Sequence, residues 1–146
     1  MMADFTERFS EVCYPLGRIN PASYNAEQNT GYVSVRDYHR VAIVIHAGVL
    51  GQNVDVDIEQ ATDTAASGAK AFASSSKDIT LTATTDNNTV NVIEIRGEEF
   101  DVANAFDCLN LEMTPAGSSS IFGAIIYGIV PRYAAVPTTN WDSVTD

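Results

Sequence analysis

Basic residues, cysteines and long apolar runs are all scarce in this sequence of 146 residues. Its 8 lysines and arginines stand against 19 aspartates and glutamates, which gives a formal net charge of −11 at pH 7. Binding to the phosphate backbone of a nucleic acid depends on clustered lysine and arginine. We therefore expect no nucleic-acid partner. The acidic surplus keeps the chain soluble and would also favour a basic partner surface.

Cysteine usage and hydropathy indicate the cellular compartment in which we expect the protein. Cys13 and Cys108 are too few for a disulfide framework, and neither belongs to a metal-ligand spacing, so we expect two free thiols in a reducing compartment. The longest apolar run, residues 121–130, has about half the length that a membrane helix requires. The N-terminal residues include acids and lack the apolar core of a signal peptide. The sequence predicts neither secretion nor a membrane partner.

Signatures of catalysis are missing as well. No Gly-x-Ser-x-Gly elbow and no glycine-rich phosphate loop occurs in the sequence. Glu98, Glu99 and Asp101 are candidates for a carboxylate pair that cleaves glycosides, but neighbouring residues point in different directions. His39 and His46 are an odd number of residues apart, which places them on opposite faces of a strand. We expect no enzyme, no cofactor and no metal.

What the sequence does contain is alternation of apolar and polar residues with a period of two. This pattern is typical of strands with one buried face, because successive side chains of an extended chain point to opposite sides. It is clearest in residues 54–59, 79–82, 90–92 and 109–113.

Three carboxylates share one face of the first of these segments. Asp55, Asp57 and Glu59 alternate with apolar residues. A calcium loop requires a glycine turn and a bidentate acid at a fixed offset, and this straight row has neither. We interpret the row as a solvated outer face, with calcium as the alternative.

The strands predict an antiparallel architecture. We expect residues 32–35 to pair with 41–45, residues 79–84 to form a hairpin with 90–96 around Asp86-Asn87-Asn88, and residues 109–114 to pair with 121–130. In the second hairpin the adjacent apolar residues Val92 and Ile93 predict a β-bulge. Seven or eight short strands at near-regular spacing indicate an all-β fold, an antiparallel sandwich or jelly roll.

Two flanking segments do not share this pattern. Residues 1–30 contain aromatic residues but are interrupted by Pro15, Gly17 and Pro21, and we predict an irregular N-terminal arm. Residues 31–133 form the predicted β-sandwich body. Residues 134–146, with Pro137 and the single tryptophan Trp141, are predicted to be a C-terminal tail, so that the chain is one domain with two irregular ends.

A series of short pieces in constant order resembles small structural proteins encoded by tailed bacteriophages and prophages, and the resemblance spans nearly the whole chain. The pieces are Pro21-Ala-Ser-Tyr24, Thr30-Gly-Tyr-Val33, Tyr38-His-Arg40, Gln60-Ala-Thr-Asp63, Gly68-Ala-Lys70, Glu98-Glu-Phe-Asp-Val102, Phe106-Asp107 and Pro131-Arg-Tyr133.

The resemblance implies a component of the virion. We expect a capsid decoration, or cement, protein that is made in the bacterial cytoplasm and binds the exterior of the phage head. Its partners would be the major capsid protein and its own copies, as a homotrimer. Exposed aromatic clusters usually mark interfaces, so the candidate contact residues lie in the flanking segments. They are Phe5, Phe9, Tyr14, Tyr24 and Trp141.

Two alternatives remain open at this point. A component of the tail or of the head-to-tail connector needs the same β body with docking arms. A carbohydrate-binding sandwich on the particle surface would use Tyr32, Tyr38 and Trp141 as stacking platforms.

Overall fold

The computed structural model describes residues 7–132 and 141–145. Phe5, Tyr133 and most of the predicted C-terminal tail lie outside these residues. The regular elements are one short helix, α1 (Phe9–Val12), and the strands β1 (Cys13–Tyr24), β2 (Gln28–Asn29), β3 (Val33–Ser34), β4 (Tyr38–Leu50), β5 (Val54–Ala61), β6 (Lys70–Ala71), β7 (Ile79–Leu81), β8 (Val90–Arg96), β9 (Cys108–Pro115) and β10 (Ser120–Pro131). Three 3-10 turns cover Ala73–Ser75, Gly97–Glu99 and Val102–Asn104.

The strands form two antiparallel sheets. The first sheet has the order β1-β10-β4-β8, and the second has β2 and β3 beside β9, then β5, then β6 and β7. Strands that follow one another in the chain mostly alternate between the sheets, which is the connectivity of a jelly roll built from two Greek keys. The predicted all-β sandwich is confirmed.

The core lies between the two sheets. Side chains from the inner face of each sheet interdigitate there and are almost completely buried. Ile43, Ile45 and Ile126 come from the first sheet, while Val56 and Leu111 come from the second. In β5 and β9 the alternation seen in the sequence correctly located the buried face. In β8 it did not, because Ile93 and Ile95 are buried while Val90 and Val92 are exposed.

The predicted strand partners were wrong. Residues 79–81 belong to β7 and pair with β5, whereas residues 90–96 belong to β8 and pair with β4, so no hairpin forms around Asp86-Asn87-Asn88. β9 and β10 are likewise in different sheets, and β3 pairs with β9 instead of β4. Each predicted hairpin is a connection that crosses the sandwich from one sheet to the other.

The predicted irregular arm was also wrong for its second half. β1 spans 12 residues and pairs with β10 along the edge of the first sheet. Pro15 is compatible with an edge strand, because the N–H that proline lacks can be one that would face solvent and form no ladder hydrogen bond. The ladder is irregular between Pro15 and Gly17 and again between Ile19 and Ala22, so bulges accommodate the residues that looked like breakers in the sequence.

Candidate functional site

The outer face of the first sheet carries a cluster of three aromatic rings. Phe9 of α1 lies 5.9 Å from the ring centre of Tyr127 on β10 and 5.8 Å from that of Trp141. Trp141 also lies 6.1 Å from Tyr127, and its indole N–H donates to the carbonyl of Cys13 at 3.1 Å. The segments at both ends of the described chain therefore meet on this face. Phe9 remains 61% exposed.

Aliphatic side chains extend this aromatic cluster across the sheet. Val44 of β4 lies opposite Ile125 of β10 on one side and Val92 of β8 on the other, so the three form one cross-strand row. The neighbouring Val90 is 65% exposed and Val92 is 58% exposed. We call the set of outward residues Phe9, Val44, Val90, Val92, Ile125, Tyr127 and Trp141 the apolar face.

Sequence reasoning missed the aliphatic part of this face. The β4–β8 ladder runs without a register shift, so the β-bulge predicted at Val92 and Ile93 is wrong. Ile93 and Ile95 point into the core, and strict alternation then directs Val90 and Val92 outward. The sequence did contain a signal for this face, because β8 has apolar residues at both odd and even positions. Such a strand has either a β-bulge or an apolar outer face.

Two of the predicted contact residues serve the fold of the subunit itself. Tyr14 is only 6% exposed, and its hydroxyl donates to the carbonyl of Glu11 at 2.9 Å. Tyr24 packs on the core residue Phe122 with 5.0 Å between ring centres. Of the described candidates, Phe9 and Trp141 reach the apolar face, while Phe5 lies outside the described residues.

The three aromatic residues considered as a carbohydrate platform do not come together. Tyr38 is buried in the first sheet, and the hydroxyl of Tyr32 donates to the carboxylate of Glu59 on the outer face of the second sheet. Trp141 lies on the outer face of the first sheet, against Tyr127. A stacking surface made of all three residues is excluded by this arrangement.

The carboxylate row of β5 is on the outer face of the second sheet, as the alternation predicts. Asp55 is exposed and accepts a hydrogen bond of 2.9 Å from Thr80, whereas Asp57 and Glu59 are half-buried. Glu112 of β9 lies directly opposite Asp57 in the ladder. Partial burial, reinforced by neighbouring carboxylates, raises the pKa of both Asp57 and Glu112. Among the described residues, no group of three or more His, Cys, Asp or Glu side chains is arranged to hold a metal ion.

Two of the carboxylates considered for glycoside cleavage form ion pairs with lysines. Glu99 lies 2.8 Å from the ammonium of Lys77, and Asp101 pairs with Lys70. These cations, through their hydrogen bonds, hold the pKa of each carboxylate below its usual range. Neither group is tuned to act as a general acid near neutral pH, which would require a raised pKa.

Both cysteines are free thiols, as predicted, and the structure shows that both are buried, in different sheets. Burial, together with a hydrogen bond to Asp107, raises the pKa of the Cys108 thiol to about 11. Burial also raises the pKa of Cys13. Reactive cysteines have lowered pKa values and access to solvent, so the environment of these two is that of structural thiols.

Comparisons with known proteins add no relative. No protein-family model matches the chain, and no curated protein matches it either. The resemblance to phage structural proteins therefore stays a prediction. The helices in the described part of the chain are all too short to cross a membrane.

Proposed function

We propose that this protein is a structural component of a tailed-phage particle, a capsid decoration protein that binds the exterior of the head. The observation that carries the proposal is the apolar face. Apolar patches on the surface of soluble domains usually mark contacts with other proteins. A jelly-roll body that displays such a face on one sheet, and a row of carboxylates on the outer face of the other, is suited to lie flat on a larger assembly.

The physical basis of the contact is burial of apolar surface. Removal of such surface from water contributes roughly 25 cal/mol per Å². Phe9, Val90 and Val92 expose more than half of their surface in the single chain, and so have the most to gain from a partner. Binding to one shell state and not to others would stabilise that state by mass action.

We expect the protein to act as a homotrimer and to contact the major capsid protein of the shell. A threefold oligomer places three copies of the apolar face around one axis, so that weak single contacts add through multivalency. Light scattering on the purified chain measures this state. A clean monomer of 15.7 kDa at high concentration, with no copies added to capsids, would exclude the trimer.

Copy number in purified particles separates this function from the alternative, a tail or connector component. A decoration protein is present in hundreds of copies, whereas a connector ring contains about six or twelve under closed cyclic symmetry. Quantitative mass spectrometry against the major capsid protein gives the ratio. Absence of the chain from particles would overturn both assignments.

A matched pair of variants tests which surface makes the contact. Val92→Glu places a charge on the part of the apolar face formed by β8, and Val102→Glu places the same charge at a similarly exposed valine outside it. We expect Val92→Glu to abolish capsid binding, because an unpaired carboxylate would be buried at the contact. Val102→Glu should bind normally. Normal binding of Val92→Glu would assign the contact to another surface, and equal loss in both variants would show a general effect of the added charge and contradict the assignment.

A further inference from the structure

Three of the six arginines of this acidic chain line one cleft at the end of the first sheet. Arg40 comes from β4, Arg96 from the end of β8, and Arg132 from the residue after β10. Together with His39, Gly97, Glu98 and Val102 they enclose a cleft of about 640 Å³ that opens to solvent. Such a concentration of guanidinium groups is unexpected in a chain with a net charge of −11.

Arg40 and Arg96 are direct cross-strand partners in the β4–β8 ladder. Both side chains are exposed on the outer face of the sheet. Like charges directly opposite one another destabilise a sheet. The Arg40–Arg96 pair therefore lowers the stability of the free protein. An anion bound between the two guanidinium groups would remove this repulsion.

Arg132 is held in place at the rim of the same cleft. Its Nε–H donates to the carbonyl of Tyr38 at 3.0 Å, and its backbone N–H donates to the carbonyl of Asp37 at 2.7 Å. A Cβ atom added at Gly97 would lie 2.7 Å from Nη2 of Arg132. Because residue 97 is a glycine, the guanidinium of Arg132 can lie directly against the backbone at that position. This contact and the hydrogen bonds orient the guanidinium before any ligand binds.

Carboxylates neutralise this cleft only in part. Glu98 lies 3.8 Å from Arg96, in a pair where both side chains are more than two-thirds exposed, and Lys77 beside the cleft is paired with Glu99. In the stretches 7–132 and 141–145, no carboxylate lies within ion-pair distance of Arg40 or Arg132. With respect to those stretches, the guanidinium of Arg40 and the Nη groups of Arg132 thus remain available for hydrogen bonds to an anion, while the Nε–H of Arg132 is used by the carbonyl of Tyr38.

We propose that the cleft formed by Arg40, Arg96 and Arg132 is a binding site for a small oxyanion, either phosphate or a carboxylate-bearing molecule. The planar guanidinium fork matches the paired oxygens of both groups, and hydrogen bonds between two ionised partners are the strong ones. The site is independent of the proposed function, because it is formed by this chain alone and does not require a capsid.

Thermal unfolding and calorimetry of the purified chain test the site. Inorganic phosphate is titrated at constant ionic strength against chloride, with citrate as the carboxylate probe. We expect a saturable rise of the unfolding midpoint with at least one of the two anions, since a ligand that binds the folded state stabilises it. Whichever anion gives the lower Kd identifies the preferred class. No difference from chloride with either probe would overturn the proposal.

Variants locate the effect in the cleft. Arg40→Gln should weaken anion binding roughly tenfold or more, because a charge-assisted hydrogen bond is lost. Arg40→Lys keeps the charge without the fork and should weaken binding by less. Arg18→Gln is the matched control: it removes the same charge from an exposed arginine that pairs with Asp142 at 3.4 Å, far along the sheet from the cleft. Equal weakening in Arg18→Gln and Arg40→Gln would show a general effect of charge and overturn the assignment.

A second signature appears in the absence of the anion. Arg40→Gln relieves the repulsion with Arg96, so its unfolding midpoint in chloride should equal or exceed that of the unaltered chain. This outcome also verifies that the variant is folded. A clearly lower midpoint in chloride would mean that Arg40 contributes to the fold, and would contradict a site that costs stability until it is occupied.

Discussion

The ring of Tyr38 packs directly over the backbone of Gly128. A Cβ atom added at Gly128 would lie 2.6 Å from two carbons of that ring, closer than any real contact permits. Tyr38 is buried at the start of β4, where it lies opposite Pro131 in the ladder. Its ring also packs against that of Tyr14, with 5.9 Å between the ring centres. Because the ring has no free space to move into, the glycine is required by packing.

The first prediction concerns this contact. Gly128→Ala should lower the free energy of unfolding by about 1–3 kcal/mol, the usual cost of overpacking a dense core. Denaturant unfolding followed by circular dichroism measures the change. In the background of Tyr38→Ala the same substitution meets no ring and should cost clearly less, which a double-mutant cycle detects. Additive effects in that cycle would show that the two residues do not act on each other.

The second prediction concerns the carboxylates of the second sheet. Burial and neighbouring acids raise the pKa of Asp57 and Glu112 in the folded protein. A carboxyl with a raised folded pKa binds its proton more tightly when folded, so stability falls as pH rises from the unfolded pKa through the folded one. Above the folded pKa each group is ionised and the full penalty applies.

Asp57→Asn and Glu112→Gln should therefore each stabilise the protein at pH 7, by about 0.2–1 kcal/mol for a like-charged cross-strand pair. The gain should shrink as the pH falls through the folded pKa and should vanish below about 4, where the carboxyl of the unfolded chain is protonated as well. Thermal midpoints measured between neutral and acid pH test both statements. Asp55→Asn serves as the control, since Asp55 is exposed and accepts a hydrogen bond from Thr80. A gain that does not depend on pH would contradict an electrostatic origin.

The third prediction separates a contact residue from a core residue. Phe9→Ala removes an exposed ring whose contacts are two aromatic pairs, each worth about 0.5–1.5 kcal/mol, so the chain should remain folded. Tyr14→Ala removes a buried ring and should cost about 3–5 kcal/mol, as for other large aromatic residues. Under the proposed function, Phe9→Ala should reduce capsid binding or oligomer stability without unfolding. Normal assembly of Phe9→Ala would remove this ring from the interface.

The fourth prediction concerns the thiols. Burial raises the pKa of Cys108 to about 11 and also raises that of Cys13, so thiolate is scarce at neutral pH and the sulfur atoms are inaccessible. A thiol reagent at pH 7.5 should modify neither cysteine in the folded chain and both in denaturant. Rapid modification of one thiol without denaturant would show that its strand opens locally.

The sequence by itself located the buried side of most strands, although not of β8, where Val90 and Val92 point outward. Val54, Val56 and Ile58 alternate with Asp55, Asp57 and Glu59, and this pattern placed the carboxylates on the outer face, where they are found. The same reasoning predicted the all-β class. Burial of one face depends only on the period of two along a strand, so local sequence is sufficient to reveal it.

Only the tertiary structure decided which strands are neighbours. In a sandwich both sheets present one face to the same core, so strands of either sheet have the same alternation and adjacent strands in the chain look like hairpins. The local sequence predicts an irregular arm in place of β1, because the partner strand β10 begins about a hundred residues later and a pairing over that distance leaves no local signal.

The two candidate surfaces were likewise decided by the tertiary structure and not by local sequence. Phe9, Tyr127 and Trp141 come from the two ends and the last strand, and Arg40, Arg96 and Arg132 from three separate segments. Each set is brought together by the order of strands in the first sheet. That order is set by long-range packing and ladder hydrogen bonds, and the period of any single segment carries no information about it.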